Sequence, residues 1–300
     1  MTDNIRYIFD KNIVLLEQYD RAIIYFREQK LDIALGIIAD SMALITPSIE
    51  AIINDREYFN LTSIDSIMDM LSNILEAYKK GDYLLLADLV ELQLVSFLIG
   101  VQELIISKEE MTFEEERYHE NLQQIRENGI VIDMLLNEAI NPQSLLKEGY
   151  RVEFTSCGLM TLAVRNGDYS FYFHTNGRVT SEAFMLAKHW YRKEIKRYII
   201  YGLGFGYHIK ELLSLSEQPE IIVYESDLNI ILLACAFTEL KDLFGTGRVK
   251  LVYDPDYQKL KAEIRNISKK ELFCVHYPSF QNIRSDEGRK LTENHVSFRG

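Results

Sequence analysis

The chain of 300 residues is 47% hydrophobic and 26% charged, which provides enough apolar material for a buried core and predicts about two domains. Its formal net charge of −12 at pH 7 argues against a nucleic-acid-binding protein, because affinity for phosphate backbones needs clustered Lys and Arg. Three cysteines without CxxC spacing, and a start without a basic and then apolar leader, predict a cytoplasmic protein.

The two halves of the chain differ in charge. Residues 1–150 hold 27 acidic and 12 basic residues, whereas residues 151–300 hold 18 acidic and 21 basic residues. Glycine is also uneven, with five in the first half and ten in the second. We therefore predict a helical bundle over residues 1–148 and a second domain over residues 149–300. The acidic bundle would offer a docking surface to a protein partner.

The first half follows a helical pattern. In the segment 62–78, apolar residues recur every three or four positions, as in an amphipathic helix. Thr62 and Asp65 form a capping pair at its start, and Lys79-Lys80-Gly81 provides a stop. Similar patterns predict further helices of an antiparallel bundle, over about residues 4–29, 31–57 with a bend at Pro47, and 112–140.

The segment 83–106 is apolar on nearly every side, which predicts the central helix of the bundle. Its length would suffice for a membrane span, but carboxylates such as Asp88, Glu91 and Glu103 are costly in hydrocarbon. We therefore expect a buried helix without a membrane span. Asp88 and Glu91 need Lys, Arg or Tyr partners from another helix if they are buried. A catalytic acid pair is the alternative.

Common catalytic and metal motifs are missing from the sequence. Glu116 and His119 have the i, i+3 spacing of metal ligands in helical bundles, but the second copy that such a site needs is absent. We therefore predict a solvated acidic face there and no metal. The sequence also has no HExxH motif, Walker loop, nucleophile elbow or zinc spacing, so hydrolytic and P-loop chemistry lack support.

After Gly149 the pattern changes to alternating apolar and polar residues. This alternation flanks Asn166-Gly167, a strong hairpin turn, and predicts a small antiparallel β unit that a helix over about 181–192 follows. Right-handed crossovers then predict a Rossmann-like, methyltransferase-like parallel sheet with strand order 3-2-1-4. Its strands would be four short apolar runs separated by helices: 198–201, 220–225, 248–253 and 272–276.

A glycine-rich loop follows the first predicted strand of that sheet. Its residues Gly202, Gly204 and Gly206 permit positive φ and let a ligand approach bare backbone. The helix that begins near Tyr207 and His208 offers N–H groups to an anion. The spacing G-x-G-x-G differs from the G-x-G-x-x-G of dinucleotide sites, which disfavours NAD and FAD.

Three further side chains are candidates to contact a ligand at this glycine loop. Glu225 ends the second strand, where a carboxylate could accept bonds from ribose hydroxyls, and Asp254 ends the third, near an adenine. His174 flanks the same region. The arrangement looks like the S-adenosylmethionine site of Rossmann-like methyltransferases. The alternative is that the glycines serve strand-to-helix packing and that Asp227 and Asp254 only cap helices.

The sequence around the glycine loop resembles a known family. The strings YGLGFGYHIKELL (201–213) and IVYESD (222–227) are similar to the N-terminal Rossmann-like region of the motility-associated factor proteins, which are bacterial flagellin glycosyltransferases. Upstream, YFHTN (172–176) and SEA (181–183) resemble the stretch before that loop. The domain of unknown function in this family is also related to an archaeal pterin diphosphokinase.

The resemblance covers about residues 150–270 and implies a cytoplasmic protein of flagellin glycosylation. In that process a CMP-activated nonulosonic acid is transferred to Ser or Thr hydroxyls. The catalytic domain of the family normally follows this region and opens with a Gly-x-Gly-Pro-Ser loop, which is not found before Gly300. The resemblance therefore assigns no catalytic residues to this chain.

Three hypotheses follow for the function. The first is an accessory region of a glycosyltransferase-like protein that binds a nucleotide or nucleotide-sugar, such as a CMP-linked sugar, at the glycine loop and Glu225. The second is an S-adenosylmethionine-dependent methyltransferase that uses the same loop, with Asp254 near the adenine. The third is a non-catalytic scaffold whose glycine loop holds no ligand.

Overall fold

The computed structural model describes residues 1–61, 63–109, 114–127, 146 and 149–296. The chain forms two compact units. The helical unit comprises Met1–Met111, Phe154–Leu159 and Asn176–Ser181, and the sheet unit comprises Thr112–Glu153, Met160–Thr175 and Glu182–Gly300. The helical unit therefore takes up two short segments from the second half of the chain. The boundary at residue 148 lies outside the described residues and stays a prediction.

The helical unit consists mainly of long helices, as the sequence predicts. Their bounds are α1 Asp3–Arg27, α2 Leu31–Asn54, α3 Asp65–Lys80, α4 Tyr83–Leu89 and α5 Ser96–Lys108, and a π-helical turn, Val90–Val95, joins α4 to α5. The predicted stop after α3 is confirmed, because Gly81 caps it in the left-handed conformation with φ of 68°. Thr62, the predicted cap, lies outside the described residues.

The core of the helical unit is built from α1, α2, α5 and neighbouring turns. Its buried apolar side chains are Ile5, Ile8, Phe9, Ile52, Phe59, Val101 and Ile105. Two of the helices, Leu31–Asn54 and the run Tyr83–Lys108, are long and apolar enough to cross a membrane by length and composition alone. Core helices of soluble proteins meet the same test.

The predicted central helix of the bundle is buried on one face only. Leu84 and Leu92 are 70% and 69% exposed, so the apolar composition on every side is not matched by burial on every side. Its acidic residues have the basic partner that the sequence led us to expect. Arg27 of α1 donates to Asp88 at 2.6 Å and to Glu91 at 3.0 Å, which assigns the carboxylate pair a structural role.

Asp20 of α1 anchors the segment Asn176–Ser181 within the helical unit. Arg178 donates from Nε to the buried Asp20 carboxylate at 2.8 Å and from Nη1 to Glu91 at 2.9 Å. The Thr180 hydroxyl donates to the other carboxylate oxygen of Asp20. Because a buried charge is costly without its partner, these bonds hold the segment against α1.

The sheet unit begins with a small antiparallel sheet. Its strands are β1 Tyr150–Phe154, β2 Met160–Asn166 and β3 Tyr169–Tyr172, in the order β1-β2-β3. In the hairpin, the backbone of Asn166 pairs with that of Tyr169, and Gly167 begins the two-residue turn with φ of 64°. The predicted hairpin is confirmed, with its turn one residue later than the Asn-Gly pair indicated.

A parallel sheet forms the centre of the sheet unit and confirms the predicted Rossmann-like topology. Its strands are β4 Arg197–Tyr201, β5 Glu220–Glu225, β6 Val249–Tyr253 and β7 Glu271–Val275, in the order β6-β5-β4-β7. Ile199 of β4 lies opposite Ile222 of β5 and Phe273 of β7. Apolar strands of this kind are buried on both faces, so the residues of β4 from Tyr198 onward are all buried.

Helices surround this sheet and connect its strands. In the described part of the sheet unit they are α6 Glu115–Glu127, α7 Val179–Trp190 (whose first turn belongs to the helical unit), α8 Tyr207–Leu215, α9 Leu228–Phe237, α10 Lys241–Gly245, α11 Gln258–Arg265, α12 Tyr277–Gln281 and α13 Asp286–Thr292. One apolar cluster on the sheet contains Ile199, Tyr201, Tyr224, Tyr257, Leu260, Phe273, Val275 and Ile283.

Helix α6, which the sequence analysis placed in the bundle, packs instead against α9 in the sheet unit. The buried side chain of Asn121 donates to the carbonyls of Cys235 at 2.9 Å and Thr238 at 2.7 Å, and accepts the Leu240 N–H at 3.0 Å. These bonds satisfy carbonyl groups at the end of α9 that have no partner within the helix. The rest of the predicted helix beyond residue 127 lies outside the described residues.

Candidate functional site

The glycine loop has the conformation that its sequence predicts. It connects β4 to α8, and Gly202, Gly204 and Gly206 have φ angles of +102°, +50° and +83°. Residues that carry a Cβ atom rarely adopt these φ angles, so the backbone conformation alone favours glycine at the three positions. The loop lies at the carboxyl end of the central strand, where ligands bind in open parallel sheets.

The space above the glycines is filled by side chains of the protein itself. A Cβ atom on Gly204 would lie 2.8 Å from Nε2 of His174, and one on Gly202 would overlap the side chain of Ser279. At Gly206 a Cβ would lie 3.2 Å from Leu240. The alternative considered for the sequence, that glycine here serves close packing, therefore describes the loop well.

The N–H groups of the glycine loop are likewise bonded within the protein. The Leu203 N–H donates to the Glu225 carboxylate at 3.1 Å, and the Phe205 N–H donates to Nε2 of His174 at 3.0 Å. Such N–H groups are the ones that hold an anion in nucleotide-binding loops. In this protein a carboxylate and an imidazole of the chain itself take that place.

Glu225 is directed at backbone and not at open space. Its second oxygen accepts the N–H groups of Ser226 at 2.8 Å and Asp227 at 3.0 Å. The side chain is only 2% exposed, and this burial raises the pKa of Glu225 to about 7, although the N–H donors favour the charged form. Its bonds hold the glycine loop against the end of β5.

Three buried histidines pack against the glycine loop. The rings of His208 and His276 stack with centroids 4.3 Å apart and planes within 5°, and His174 stacks on His276 at 5.1 Å. His208 Nε2 donates to the Gly202 carbonyl at 3.1 Å, and His276 Nδ1 lies 2.8 Å from the Ser279 hydroxyl. The stack therefore supports the loop through both ring contacts and hydrogen bonds.

The three histidines are neutral at physiological pH. Burial lowers the pKa of His208 from its ordinary value near 6.5 to about 4. Burial, and then the neighbouring His208 ring, hold the pKa of His174 and the pKa of His276 well below that value. A neutral stack avoids placing like charges within a few ångströms of one another in a low-dielectric interior.

One ring nitrogen from each histidine of this stack lies within 4.8 Å of the others, so the three side chains could hold a metal ion by spacing alone. Nε2 of His174 already accepts the Phe205 N–H, so its Nδ1 carries the proton. Nδ1 of His208 is buried without a hydrogen-bond partner among the described residues.

The remaining predicted ligand residues have structural partners. Asp254 accepts the Leu260 N–H in the first turn of α11 at 2.8 Å, and Asp227 accepts the Asn229 N–H at 3.0 Å and caps α9. The Tyr207 hydroxyl donates to the carbonyl of Met160 at 2.8 Å. The structure therefore brings His174 and His208 to the glycine loop, while Asp254 is occupied at the end of β6.

A separate pocket lies beside the glycine loop, at the carboxyl end of β7. It has a volume of about 210 Å³ and is lined by Tyr172, Thr175, Glu182, Leu186, His276, Tyr277, Pro278 and Gln281. The chain leaves β4 toward β5 on one side and later returns to β7 on the other, so this edge is the topological switch point of the sheet. Ligands of open α/β sheets bind at that point. We call this cavity the switch-point pocket.

The polar lining of the switch-point pocket centres on Glu182. One carboxylate oxygen of Glu182 accepts the Thr175 N–H at 3.1 Å, and the carboxylate has no basic partner among the described residues. Burial raises the pKa of Glu182 above its usual range. Gln281 donates to the Tyr277 hydroxyl at 2.9 Å, which fixes one aromatic wall.

Sequence reasoning missed the two residues that connect the loop to the pocket. His276 lines the pocket and also contacts Gly204, and Ser279 fills the space above Gly202. His276 directly follows β7 just as the glycine loop follows β4, and this common position after a parallel strand was the available signal. Glu182 and Tyr172 had appeared only within the strings that carry the family resemblance.

Two family models match parts of this chain. Residues 154–273 match the glycosyltransferase Maf N-terminal domain, and residues 8–104 match a domain of unknown function, DUF8042. The Maf match confirms the predicted resemblance to the motility-associated factor proteins. The segment that matches the Maf model contains the glycine loop, Glu225 and Glu182, whereas the DUF8042 match covers most of α1, all of α2, α3 and α4, and most of α5.

Among solved structures, the crystal structure of MnmC2 from Aquifex aeolicus matches this chain at 16% sequence identity. The TM-score is 0.30, and the match covers 68% of this chain and 71% of that chain. No curated protein matches this chain.

Proposed function

We propose that this chain supplies a ligand-recognition region of a Maf-type glycosyltransferase system and that its sheet unit binds a nucleotide-sugar. The observation that carries the proposal is the switch-point pocket, a cavity at the edge of the parallel sheet where such ligands bind, with a carboxylate that has no basic partner among the described residues. The relationship to the Maf domain supports a role in glycosyl transfer. Flagellin modification in the cytoplasm, with a CMP-linked sugar as ligand, is the setting that we propose.

In this proposal the glycine loop acts indirectly. Its glycines allow His174, His276 and Ser279 to pack closely, and His276 then forms one wall of the switch-point pocket. The ligand meets this wall and not the bare backbone that the sequence suggested. The helical unit, whose 19 acidic and 10 basic residues give it a net charge of −9, would serve as the docking surface for a protein partner.

A ligand screen tests the proposal. Thermal shift and calorimetry of the full chain are measured with CMP, CDP-glucose, UDP-glucose and S-adenosylmethionine. We expect at least one nucleotide or nucleotide-sugar to raise the melting temperature, because a ligand that binds only the folded state stabilises it. Gln281→Phe, which fills the pocket, should abolish the shift. Gln218→Phe, at an exposed position, is the matched control.

Substitution of the glycine loop, as in Gly204→Val, would not test ligand binding. Its Cβ would meet His174 at 2.8 Å, so loss of binding in this variant would report disrupted packing. If no nucleotide or nucleotide-sugar shifts the melting temperature of the wild-type chain, the proposal is wrong.

A second candidate function is a scaffold without a ligand. The bonds from Glu225 and His174 to the loop N–H groups favour it, because a loop satisfied within the protein has no need of an anion. This candidate predicts that none of the tested compounds shifts the melting temperature. Calorimetric binding of S-adenosylmethionine would instead support the methyltransferase hypothesis.

A further inference from the structure

The switch-point pocket has room for only part of a nucleotide-sugar. Its volume of about 210 Å³ exceeds the roughly 150 Å³ of an apolar cavity that holds benzene. It lies below the range of about 300 to 1,000 Å³ typical of pockets that enclose a whole drug-sized ligand. One ring system fits, and the remainder of the ligand would extend outside.

The walls of the pocket suit a flat, apolar-faced ring. Tyr172 and Tyr277 contribute aromatic surface, and Leu186 and Pro278 contribute aliphatic surface. Nucleic-acid bases stack on aromatic side chains irrespective of their identity, because every base presents a π face. The walls alone would therefore accept any base without choosing between them.

The charge of the pocket disfavours the anionic parts of a nucleotide-sugar. None of the described residues that line it is Lys or Arg, and Glu182 is an acceptor without a basic partner. A phosphate or a sugar carboxylate would meet like charge there. An N–H donor on the ligand would instead complete the coordination of the Glu182 carboxylate.

We propose that the switch-point pocket holds the base of the ligand and that Glu182 selects a base with an amino group at its edge, such as cytosine. This inference rests on the function proposed above. Cytosine presents an amino donor where uracil presents a carbonyl oxygen, and a carboxylate discriminates between the two because it only accepts. Glu182 is thus a specificity-determining residue of the pocket.

The test compares two ligands that differ only at the base edge. Calorimetry with the full chain measures the affinities for CDP-glucose and UDP-glucose, and for free cytidine and uridine. We expect the cytosine compound of each pair to bind about tenfold more tightly, as one well-formed hydrogen bond to a base edge provides. Equal affinities within both pairs would overturn the inference.

Glu182→Gln sharpens the test. The amide of this variant keeps a carbonyl oxygen for the Thr175 N–H and turns an NH₂ donor toward the ligand, so the preference should reverse to uracil. Glu217→Gln removes an equal charge at an exposed position and should leave the preference unchanged. An unaltered cytosine preference in Glu182→Gln would also overturn the inference.

The outcomes separate the two proposals. Equal affinities within both pairs contradict base selection by Glu182, while binding of the two nucleotide-sugars leaves the proposed function supported. Binding of cytidine, with a tenfold preference over uridine but without binding of either nucleotide-sugar, supports base selection and contradicts nucleotide-sugar recognition. If none of the four compounds binds, base selection by Glu182 is wrong, and the ligand screen described above decides the proposed function.

Discussion

The glycine loop and the switch-point pocket lie at the same edge of the parallel sheet, yet their polar groups differ in one respect. The carboxylate at the glycine loop, Glu225, accepts backbone N–H groups from Leu203, Ser226 and Asp227. The carboxylate at the pocket, Glu182, accepts one N–H and has no basic partner among the described residues. Glycines after a strand therefore indicate close approach of some group, which is here a side chain of the same protein.

The largest expected effect comes from adding a methyl group to the glycine loop. In Gly204→Ala the new Cβ meets His174 at 2.8 Å, and φ of +50° strains any side chain. We expect the free energy of unfolding, measured in urea, to fall by about 3 kcal/mol. Gly100→Ala in α5 is the control, since its Cβ has no neighbour within 4 Å and alanine favours helix by about 0.5 to 1 kcal/mol. Equal stability of the two variants would contradict the packed loop.

Acid should lower the stability of the folded chain through the histidine stack. The unfolded chain binds protons below pH 6.5, whereas His208 resists protonation until about pH 4, so protons favour unfolding within that window. The shift of His208 alone corresponds to a loss of about 3 kcal/mol between pH 6.5 and pH 4. His208→Gln should reduce this pH dependence, while His119→Gln, at a side chain that is 59% exposed, should not. An identical pH profile for wild type and His208→Gln would count against a neutral stack.

Glu225 opposes the histidines in part of this pH window. Its pKa of about 7 exceeds the ordinary carboxyl value, so the folded chain takes up a proton between pH 7 and pH 4.5 that the unfolded chain does not. This group alone therefore stabilises the folded chain as the pH falls. If the free energy of unfolding falls more steeply on acidification in Glu225→Gln than in wild type, the opposing effect of Glu225 is confirmed.

The two carboxylates should respond differently to the same substitution at pH 8. Glu225→Gln turns an amide NH₂ toward N–H donors and leaves at least one buried donor without an acceptor. We therefore expect the free energy of unfolding to fall by about 2 kcal/mol. Glu182→Gln keeps its acceptor for the Thr175 N–H and removes a charge that has no basic partner within the described part of the chain, so we expect no loss of unfolding free energy. Urea unfolding of both variants measures the difference. A larger loss in Glu182→Gln would reverse the roles that we assign.

The smallest effect concerns Asp254, which the sequence presented as a ligand residue. Asp254→Ala removes the acceptor of the Leu260 N–H at the start of α11, and we expect a loss of about 1 kcal/mol. Asp254→Asn keeps an acceptor for this N–H and should retain most of the stability that Asp254→Ala loses. If Asp254→Ala changed nucleotide affinity and left thermal stability unchanged, the residue would be a ligand contact.

Secondary structure could be predicted from the sequence where local signals and burial coincide. The apolar runs at 198–201 and 220–225 became β4 and β5, and Gly81 ended α3, because each feature depends on neighbouring residues alone. The placement of α6 could not be predicted this way. Its amphipathic pattern requires burial against some surface, and only the bonds of Asn121 to Cys235 and Thr238 show that this surface is α9.

The candidate site also combines features that local sequence predicts with features that depend on tertiary contacts. From its own residues the chain determined the strand order, the glycine loop with its positive φ angles and the resemblance that the Maf N-terminal domain confirms. Tertiary structure alone decided what occupies the loop, since His276 and Ser279 reach it from the far end of the sheet unit. Periodicity and spacing record how a segment relates to its neighbours, whereas occupation of a space depends on residues that are distant in sequence and meet only on folding.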